Sequence, residues 1–587
     1  MLLLCTAGLC VAGGCANPLG ERDEDQGQRV SLQRVREVQR LGLDQFRSAA
    51  TGGANAANAP GGAAQAGAAP SGGGAEGVPP ALQRPASRFA GLQAVSLGLE
   101  QARAEALRNN LELKVALVDP AIAEESLRAE RAKFEAVFRP SLRYSHNEQA
   151  TFQTTVSNES KTWSGGGGVD IPLRTGGRAN VSLTQSRTET GVNAFNPVPV
   201  FYSTDLAFSI SQPLLRNGGR TVATTSIQIA GYQAQIAEAR TKLTVISQLA
   251  LVERAYWQVY AARRALEVTQ QQYELAVTQL QQAQRRVKAG ESPELEVSRA
   301  QSGVASRLES IVVAENNVLV AQRELKRRMN MADLGVESGQ LVVPTTAPEP
   351  VDLELDGEKL TAMALGERME LLEVELQVLA DAASERFARN QTLPLLDLEA
   401  SYNIDGIGQS YRNAVTSGLA KRDFQSYRLG VSAEVPLGNE AAEARLRRAT
   451  LTRVQRLATR QSREQSVKQD VLDAVDRVRA GWQRIMAARE AALLAGRVLQ
   501  GEQRQFEAGQ RTSTDVLDAA ARLAEAQLSE IRALSDYQIA QVDLAVATGT
   551  VLGAAGVSWQ PNRDTSSAPE IRSTDSPLAP SLIDDRP

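Results

Sequence analysis

Apolar residues recur every seven positions along two long stretches of this chain, and each run breaks once, at a glycine. In the first, Val245, Val252, Val259, Leu266, Tyr273, Leu280 and Val287 form one seam, with Ala255, Ala262, Ala276 and Ala283 offset by three. That seam stops at Ala289-Gly290 and resumes as Val297, Val304, Ile311, Val318 and Leu325. In the second, Val471, Val478, Ile485, Ala492, Leu499 and Phe506 precede Gly509, and Ala519, Ala526, Ala533, Ala540 and Ala547 follow it. A seven-residue apolar period predicts helices packed along a narrow seam. Glycine takes the left-handed conformation that ends a helix at no steric cost. Each stretch therefore reads as a helical hairpin, and a helix from about Thr221 to Lys288 would span on the order of 100 Å. At the second break, Thr512 or Ser513 can cap the returning helix, and Asp515 falls in its first turn, where the helix dipole favours a carboxylate.

Shifting the numbering by 219 lays Gly290 on Gly509, Val297 on Val516, Ala300 on Ala519, Ala321 on Ala540 and Leu325 on Leu544 without a gap. This is the mark of an internal duplication. It divides the chain into a first repeat over 91–335, a linker over 336–357 and a second repeat over 358–555.

Each repeat opens alike. Glu100 to Phe138 reads as a helix ending before Pro140, and Glu358 to Asn390 as its counterpart ending before Pro394. Beyond each proline the apolar period falls to two, in Ser141–Ser145 and in Leu396–Tyr402. Further strand-like runs are Gly168–Pro172, Asn180–Gln185, Asp205–Ser211 and Arg428–Val435. Ile171-Pro172-Leu173, Gln212-Pro213-Leu214 and Val435-Pro436-Leu437 repeat one strand exit with turn chemistry. Long polar loops, Asn147–Trp163, Thr188–Ser203 and Asp405–Gln425, separate the runs. Alternating strands with long loops on one side are what an outer-membrane β-barrel requires. A soluble all-β insert in a helical protein is the other reading. Six strands are too few to enclose a wide lumen, so several copies would share one barrel. The alanine seam beside the large-residue seam lets each long helix touch two neighbours, as in a closed helical tube.

Composition narrows the function. Aromatic residues are 4% of the chain, which suits thin helical layers better than large conventional cores. A net charge of −4 carries no basic footprint for nucleic acid. The single histidine, His146, excludes a His-rich metal site, and its place in a strand-like run argues against a histidine-based triad. Gly165 to Gly168 lacks the lysine of a phosphate loop and reads as a flexible turn. No enzyme is expected. The three cysteines, Cys5, Cys10 and Cys15, lie in or beside the apolar start Met1 to Gly14, which is too short to span a bilayer and reads as a signal peptide. Ala12-Gly13-Gly14-Cys15 is similar to a bacterial lipobox, which implies a lipid on Cys15 and no other cofactor. Residues 15–90 then read as a lipid-anchored linker and 556–587 as a disordered tail. Beyond residue 15 no stretch is apolar enough for a transmembrane helix, so a membrane crossing would have to use strands.

The order helix, strands, long helical hairpin, given twice, resembles the TolC-like outer-membrane efflux and secretion channel family over about residues 90–555. The most specific part is Gly509-Gln510-Arg511-Thr512 followed by Asp515-Val516-Leu517-Asp518, close to the family's periplasmic hairpin-tip motif. The resemblance implies a homotrimer, mainly α with membrane β, sharing one outer-membrane β-barrel continued by an α-helical barrel into the periplasm. It implies the exit duct of a tripartite efflux pump or type I secretion system, opened when a periplasmic adaptor and an inner-membrane pump or ABC exporter dock.

Carried onto this chain, the resemblance makes Asp515 and Asp518 the acidic rings of the pore gate. It makes Arg511 the lock of the closed tip, with Glu296 where the family has aspartate and Phe506 where it has tyrosine. Ala289, Gly290 and Ser292, with Ala508, Gly509, Gln510 and Thr512, would be the adaptor-contacting tips. The family typically contributes four strands per chain, so the additional hairpin near Ser164–Ser186 either extends the wall or lies outside it. A lipid-anchored coiled-coil spacer or surface fibre of the envelope is the alternative from another class. A metal-exporting subtype finds no support in Met- or His-rich tracts.

Overall fold

The computed structural model describes residues 79–84, 87–89, 91–148, 159–191 and 200–558. The signal segment 1–14, Cys15, most of the linker, the tail from 559 onward and parts of two polar loops lie outside the described residues.

In chain order the elements are β1 (Ala94–Leu97), α1 (Leu99–Asn109), α2 (Leu111–Ala116), α3 (Asp119–Ala132), β2 (Val137–Glu148), β3 (Glu159–Pro172), β4 (Arg178–Thr190) and β5 (Val200–Pro213). A short α4 (Arg220–Ala223) leads into α5 (Thr225–Lys288) and α6 (Glu294–Met329). The second half holds β6 (Leu341–Pro344), α7 (Gly357–Glu367), α8 (Met369–Asn390), β7 (Leu395–Gly408), α9 (Tyr411–Val415) and β8 (Phe424–Glu434). It ends with α10 (Glu440–Glu507), α11 (Ser513–Thr548) and α12 (Val551–Ala554).

The opening helix of each half is broken where one helix was expected. Asn110 ends α1 and caps α2, accepting from Leu113 N at 3.1 Å while its amide donates to Arg328 O at 2.9 Å. Pro120 then sits in the first turn of α3, the place a helix tolerates proline. α3 stops at Ala132, and β2 begins before Pro140. Pro140 is accommodated because β2 is an edge strand. In the second half Arg368 divides α7 from α8.

All six expected strand runs lie within one antiparallel sheet, in the order β2-β3-β4-β5-β7-β8. The extra hairpin β3–β4 is inside the sheet, bonded on one side to β2 and on the other to β5. Register assigns the faces. Val181, Phe208 and Tyr402 are consecutive cross-strand partners, as are Leu183, Leu206 and Ile404. Leu398 pairs with Val431 and Ala400 with Leu429 on the same face. This face is apolar and largely bare, Leu142 being 79% and Leu429 74% exposed. The opposite face carries Ser164, Ser186 and Ser203 in one row and Thr184, Asp205 and Asp405 in another.

Gly165 to Gly168 do not form the expected turn. They run mid-strand in β3, because neighbours come too close for side chains. A Cβ on Gly167 would lie 2.7 Å from the Phe138 ring, and one on Gly166 2.4 Å from the carbonyl oxygen of Leu183. The Asp405–Gln425 loop is also shorter than expected: β7 runs on to Gly408, and α9 folds back so that the Tyr411 ring packs tilted against Tyr202, centroids 4.4 Å apart.

The two hairpins, α5–α6 and α10–α11, carry the heptad seams as their cores. Leu280, Val304 and Val318 are fully buried in the first, and Val471, Tyr537 and Leu544 in the second. Burying each such side chain contributes about 1.5–3 kcal/mol. α6 and α11 both have 36 residues, and the ends of corresponding helices, Lys288 with Glu507 and Glu294 with Ser513, fall 219 apart.

The segment read as a linker between repeats is ordered around the hairpins. β6 pairs in parallel with β1, and buried Tyr256 ties the two, its hydroxyl donating to Leu97 O at 3.1 Å and accepting from Thr346 N at 2.9 Å. The end of the N-terminal linker is docked as well. Tyr273 donates to Leu82 O at 2.8 Å, and Ser87 donates to Glu315 at 3.1 Å. Among the described residues no helix is long and apolar enough to cross a membrane.

Candidate functional site

The two hairpin turns lie side by side at the end of the molecule far from the sheet, on the order of 100 Å along α5 and α10. Both are built alike. After α5, Gly290 takes φ +76°, with Gly290 N donating to Val287 O at 3.0 Å and Glu291 N to Arg286 O at 2.9 Å. After α10, Gly509 takes the same φ, with Gly509 N donating to Phe506 O at 3.0 Å and Gln510 N to Gln505 O at 2.9 Å. These bonds close the last carbonyls of each helix in a Schellman motif, which needs the left-handed glycine.

The returning helices differ. α6 starts behind Pro293, which offers no side-chain cap. α11 starts at Thr512 with a reciprocal capping box. Thr512 N and Oγ1 both donate to Asp515 Oδ2 at 2.9 Å, and Asp515 N reaches back to Thr512 Oγ1. The Thr512 amide, its hydroxyl and the nearby Arg511 charge hold the Asp515 carboxyl below its ordinary range. Asp515 is thus the helix-start carboxylate of α11. Asp518, one turn on, is exposed. Both line a cleft of about 530 Å³ between α6 and α11, facing Arg299 and Arg307 across it. The cleft is narrowed at Gly303, where a Cβ would stand 3.2 Å from the Leu517 side chain.

Arg511 and Glu296 are not brought together within the protomer. Arg511 stays on its own hairpin, 3.3 Å from Glu502 and donating to Gln505 at 3.0 Å. Glu296 is taken by Arg299, one turn on, at 2.9 Å and by the hydroxyl of Ser513 across the hairpins. A returning helix that starts at Ser513 sets its hydroxyl against Glu296, while the backbone turn at Gly509 directs Arg511 toward α10.

A second contact that joins the hairpins was not expected. Arg286, in the last turn of α5, places its guanidinium 4.1 Å from the Phe506 ring centroid and donates to Phe506 O at 3.0 Å. The phenylalanine that lacks a tyrosine's hydroxyl is therefore held through its ring and its carbonyl. A basic residue in the last turn of α5, matched by an aromatic in the last turn of α10, was the available signal. Of the expected adaptor-contacting positions, Ala289, Gly290, Ala508, Gly509, Gln510 and Thr512 are exposed and Ser292 is half-buried. His146 lies in β2 opposite Lys161, its Nδ1 3.9 Å from Glu159. Among the described residues no cluster of three or more His, Cys, Asp or Glu could hold a metal ion.

Residues 199–330 and 360–550 match the outer membrane efflux protein family. The chain is 26% identical over 341 residues to outer membrane protein TolC of Vibrio cholerae, covering 56% of this chain and 73% of that one. It is 28% identical over 311 residues to TolC of Escherichia coli, covering 51% of this chain and 60% of that one. Its fold is similar to that of the Campylobacter jejuni CmeC outer membrane channel, with a TM-score of 0.58 at 14% identity over 80% of this chain and 87% of that one.

Proposed function

Because the chain belongs to the outer membrane efflux protein family, we propose that three copies of it close into one conduit, a shared β-barrel in the outer membrane continued by a helical tunnel into the periplasm. It is an outer-membrane transport protein and not an enzyme. The observation that carries the trimer is the pair of incomplete flanks. β2 and β8 are the open edges of the sheet, and an exposed antiparallel edge is a template for another strand. Beneath β2, α2 and α3 leave Val115, Val118 and Ile122 bare; beneath β8, α10 leaves Leu451 and Val454 bare. Two unlike flanks on one body make a head-to-tail contact, which forms a ring when the rotation closes.

The two halves act as repeats of one helix–sheet–hairpin unit, so three chains supply six such units around the axis. Asp515 and Asp518 form acidic rings where the tunnel narrows. Glu296 helps hold the tip shut through Ser513 of the other hairpin, while Arg511, held by Glu502 of its own hairpin, braces the second turn. The exposed turns Ala289–Ser292 and Ala508–Thr512 receive a periplasmic adaptor, behind which stands an inner-membrane pump or ABC exporter. A lipid on Cys15 anchors the N-terminus to the outer membrane. The alternative, a coiled-coil spacer or fibre, gives no reason for a sheet with one apolar and one polar face.

The test is native mass spectrometry of detergent-extracted protein together with photo-crosslinking from Gln510 to a co-expressed adaptor. Trimers that crosslink through the turn support the reading. Monomers, or trimers with no adaptor product from any turn position, overturn it in its oligomeric or its docking part respectively.

A further inference from the structure

We infer that β3 and β4 are membrane-crossing strands, so that the shared wall has eighteen strands rather than the twelve that four per chain would give. The inference rests on the trimeric reading above. Three observations on this chain carry it.

First, the hairpin is integral to the sheet. β3 is in register with β2 over Val137–Glu148 and with β4 over Ser160–Pro172, and β4 with β5 over Arg178–Glu189. Removing it would leave β2 and β5 as partners across a gap, whereas a decorating hairpin would leave the wall closed without it. Second, β3 and β4 have 14 and 13 residues, enough to cross a hydrocarbon core, for which tilted strands need about 9–11. Third, β4 alternates as a wall strand must over its first half, before Gln185, Arg187 and Glu189 follow on the same side toward its far end. Ala179, Val181 and Leu183 join the apolar face beside Ile210, Phe208 and Leu206, while Asn180, Ser182, Thr184 and Ser186 join the polar face. β3 contributes Val169 and Ile171 to the apolar side and covers its glycines with Phe138 and Leu142 from β2.

Closure is consistent with this count. An even number of strands per chain makes the edge strands of successive copies, β8 and β2, run antiparallel, so the whole wall is antiparallel. Barrel diameter grows about linearly with strand number, so at a strand spacing of about 4.8 Å and a tilt of about 40° eighteen strands enclose about 36 Å between backbones, against about 24 Å for twelve. On the polar face the middle of β3 and β4 offers small side chains, Thr162, Ser164, Ser182, Thr184 and Ser186 with glycines, and the larger Asp170, Asn180 and Arg178 lie toward the helical end, so the middle of the added section widens the bore without plugging it. The structure thus assigns to this channel an exit wide enough for a bulkier hydrated cargo than a twelve-stranded exit passes.

The experiment uses the full-length protein reconstituted in lipid nanodiscs. Single cysteines at Val181→Cys and Leu183→Cys should react with a bilayer-soluble maleimide and not a charged one, and Ser182→Cys and Thr184→Cys the reverse. Electron cryomicroscopy viewed down the axis should count eighteen strands. Deleting residues 155–194 joins β2 to β5 at the same end of the wall, and the size cut-off for neutral polymers entering from the barrel side should fall by about a third. A trimer with twelve wall strands, or Val181→Cys labelled by the charged reagent alone, overturns the eighteen-stranded wall while leaving the trimer intact. A monomer by native mass removes the trimeric reading itself.

Discussion

Arg286 and Phe506 join the two hairpin tips: the guanidinium sits 4.1 Å from the ring centroid and its Nη2 donates to the Phe506 carbonyl at 3.0 Å. One arginine thereby gives a C-terminal carbonyl of α10 a second donor beside Gly509 N, adds positive charge at the negative end of that helix's dipole, and covers the last apolar residue of its seam. A half-desolvated cation–π contact is worth about 0.5–2 kcal/mol, and a trimer has three. Arg286→Ala should loosen the closed tip and raise single-channel conductance, and Phe506→Leu should do so more weakly because the carbonyl bond survives. Conductance unchanged in both variants would remove this contact from the gate.

The α11 cap makes the tip acid-sensitive. Because the Asp515 carboxyl is held below its ordinary range, by Thr512 first and then Arg511, its contribution is fully present above about pH 3.9. It is lost as pH falls through the lowered value. Amide exchange at residues 513–516 should therefore accelerate only at acid pH below the usual carboxylate range, and Asp515→Asn should abolish that step. Thr512→Ala should cost about 1 kcal/mol of local stability at neutral pH. An Asn variant that keeps the acid step would show that another group titrates there.

Asp515 and Asp518 should also set ion preference. In planar bilayers, replacing both with asparagine should reduce cation selectivity and relieve block by multivalent cations, since rings of carboxylates concentrate cations. Unchanged selectivity and block would leave Asp515 as a cap alone and Asp518 as a solvated side chain.

The faces of the sheet predict opposite tolerances. Leu429→Arg puts a charge on the apolar face and should cost about 2–4 kcal/mol if it lies near the bilayer midplane. Ser401→Arg, on the polar face, should insert normally and lower conductance. Equal insertion of the two, measured as heat-resistant trimer in membranes, would argue against a lipid-facing side.

Between sheet and tip, Tyr256→Phe should loosen the Leu97 end of the β1–β6 pair. It leaves the Thr346 amide without its partner, while the Leu97 carbonyl keeps the Thr345 amide at 3.0 Å, a cost of about 1–3 kcal/mol for the unpaired donor. Trimer dissociation in detergent should shift to lower temperature. No shift would mean the hydroxyl is replaced by water.

What the sequence disclosed and what it concealed follow from the range of the interactions. The long hairpins were legible because period and turn chemistry are local: Gly290 and Gly509 end their helices at the positions the pattern predicts, both at φ +76°. The six strands were legible for the same reason. The break at Asn110 was not, since it depends on the carbonyl of Arg328, which is 218 residues away. The glycine run of β3 misled because a glycine tetrad looks like a turn until Phe138 is laid across Gly167. At the tip, the turns fall where the glycines put them, but Arg511 and Glu296 find other partners. Charge pairing across two hairpins depends on rotamers that spacing does not encode.

The most direct test of the central claim is single-channel recording of the purified protein in a planar bilayer. Discrete, cation-preferring conductance steps are expected, small in the wild type and larger when the tip contact of Arg286 is removed. Protein that inserts as a trimer yet passes no ions, in wild type and in Arg286→Ala alike, would contradict that claim.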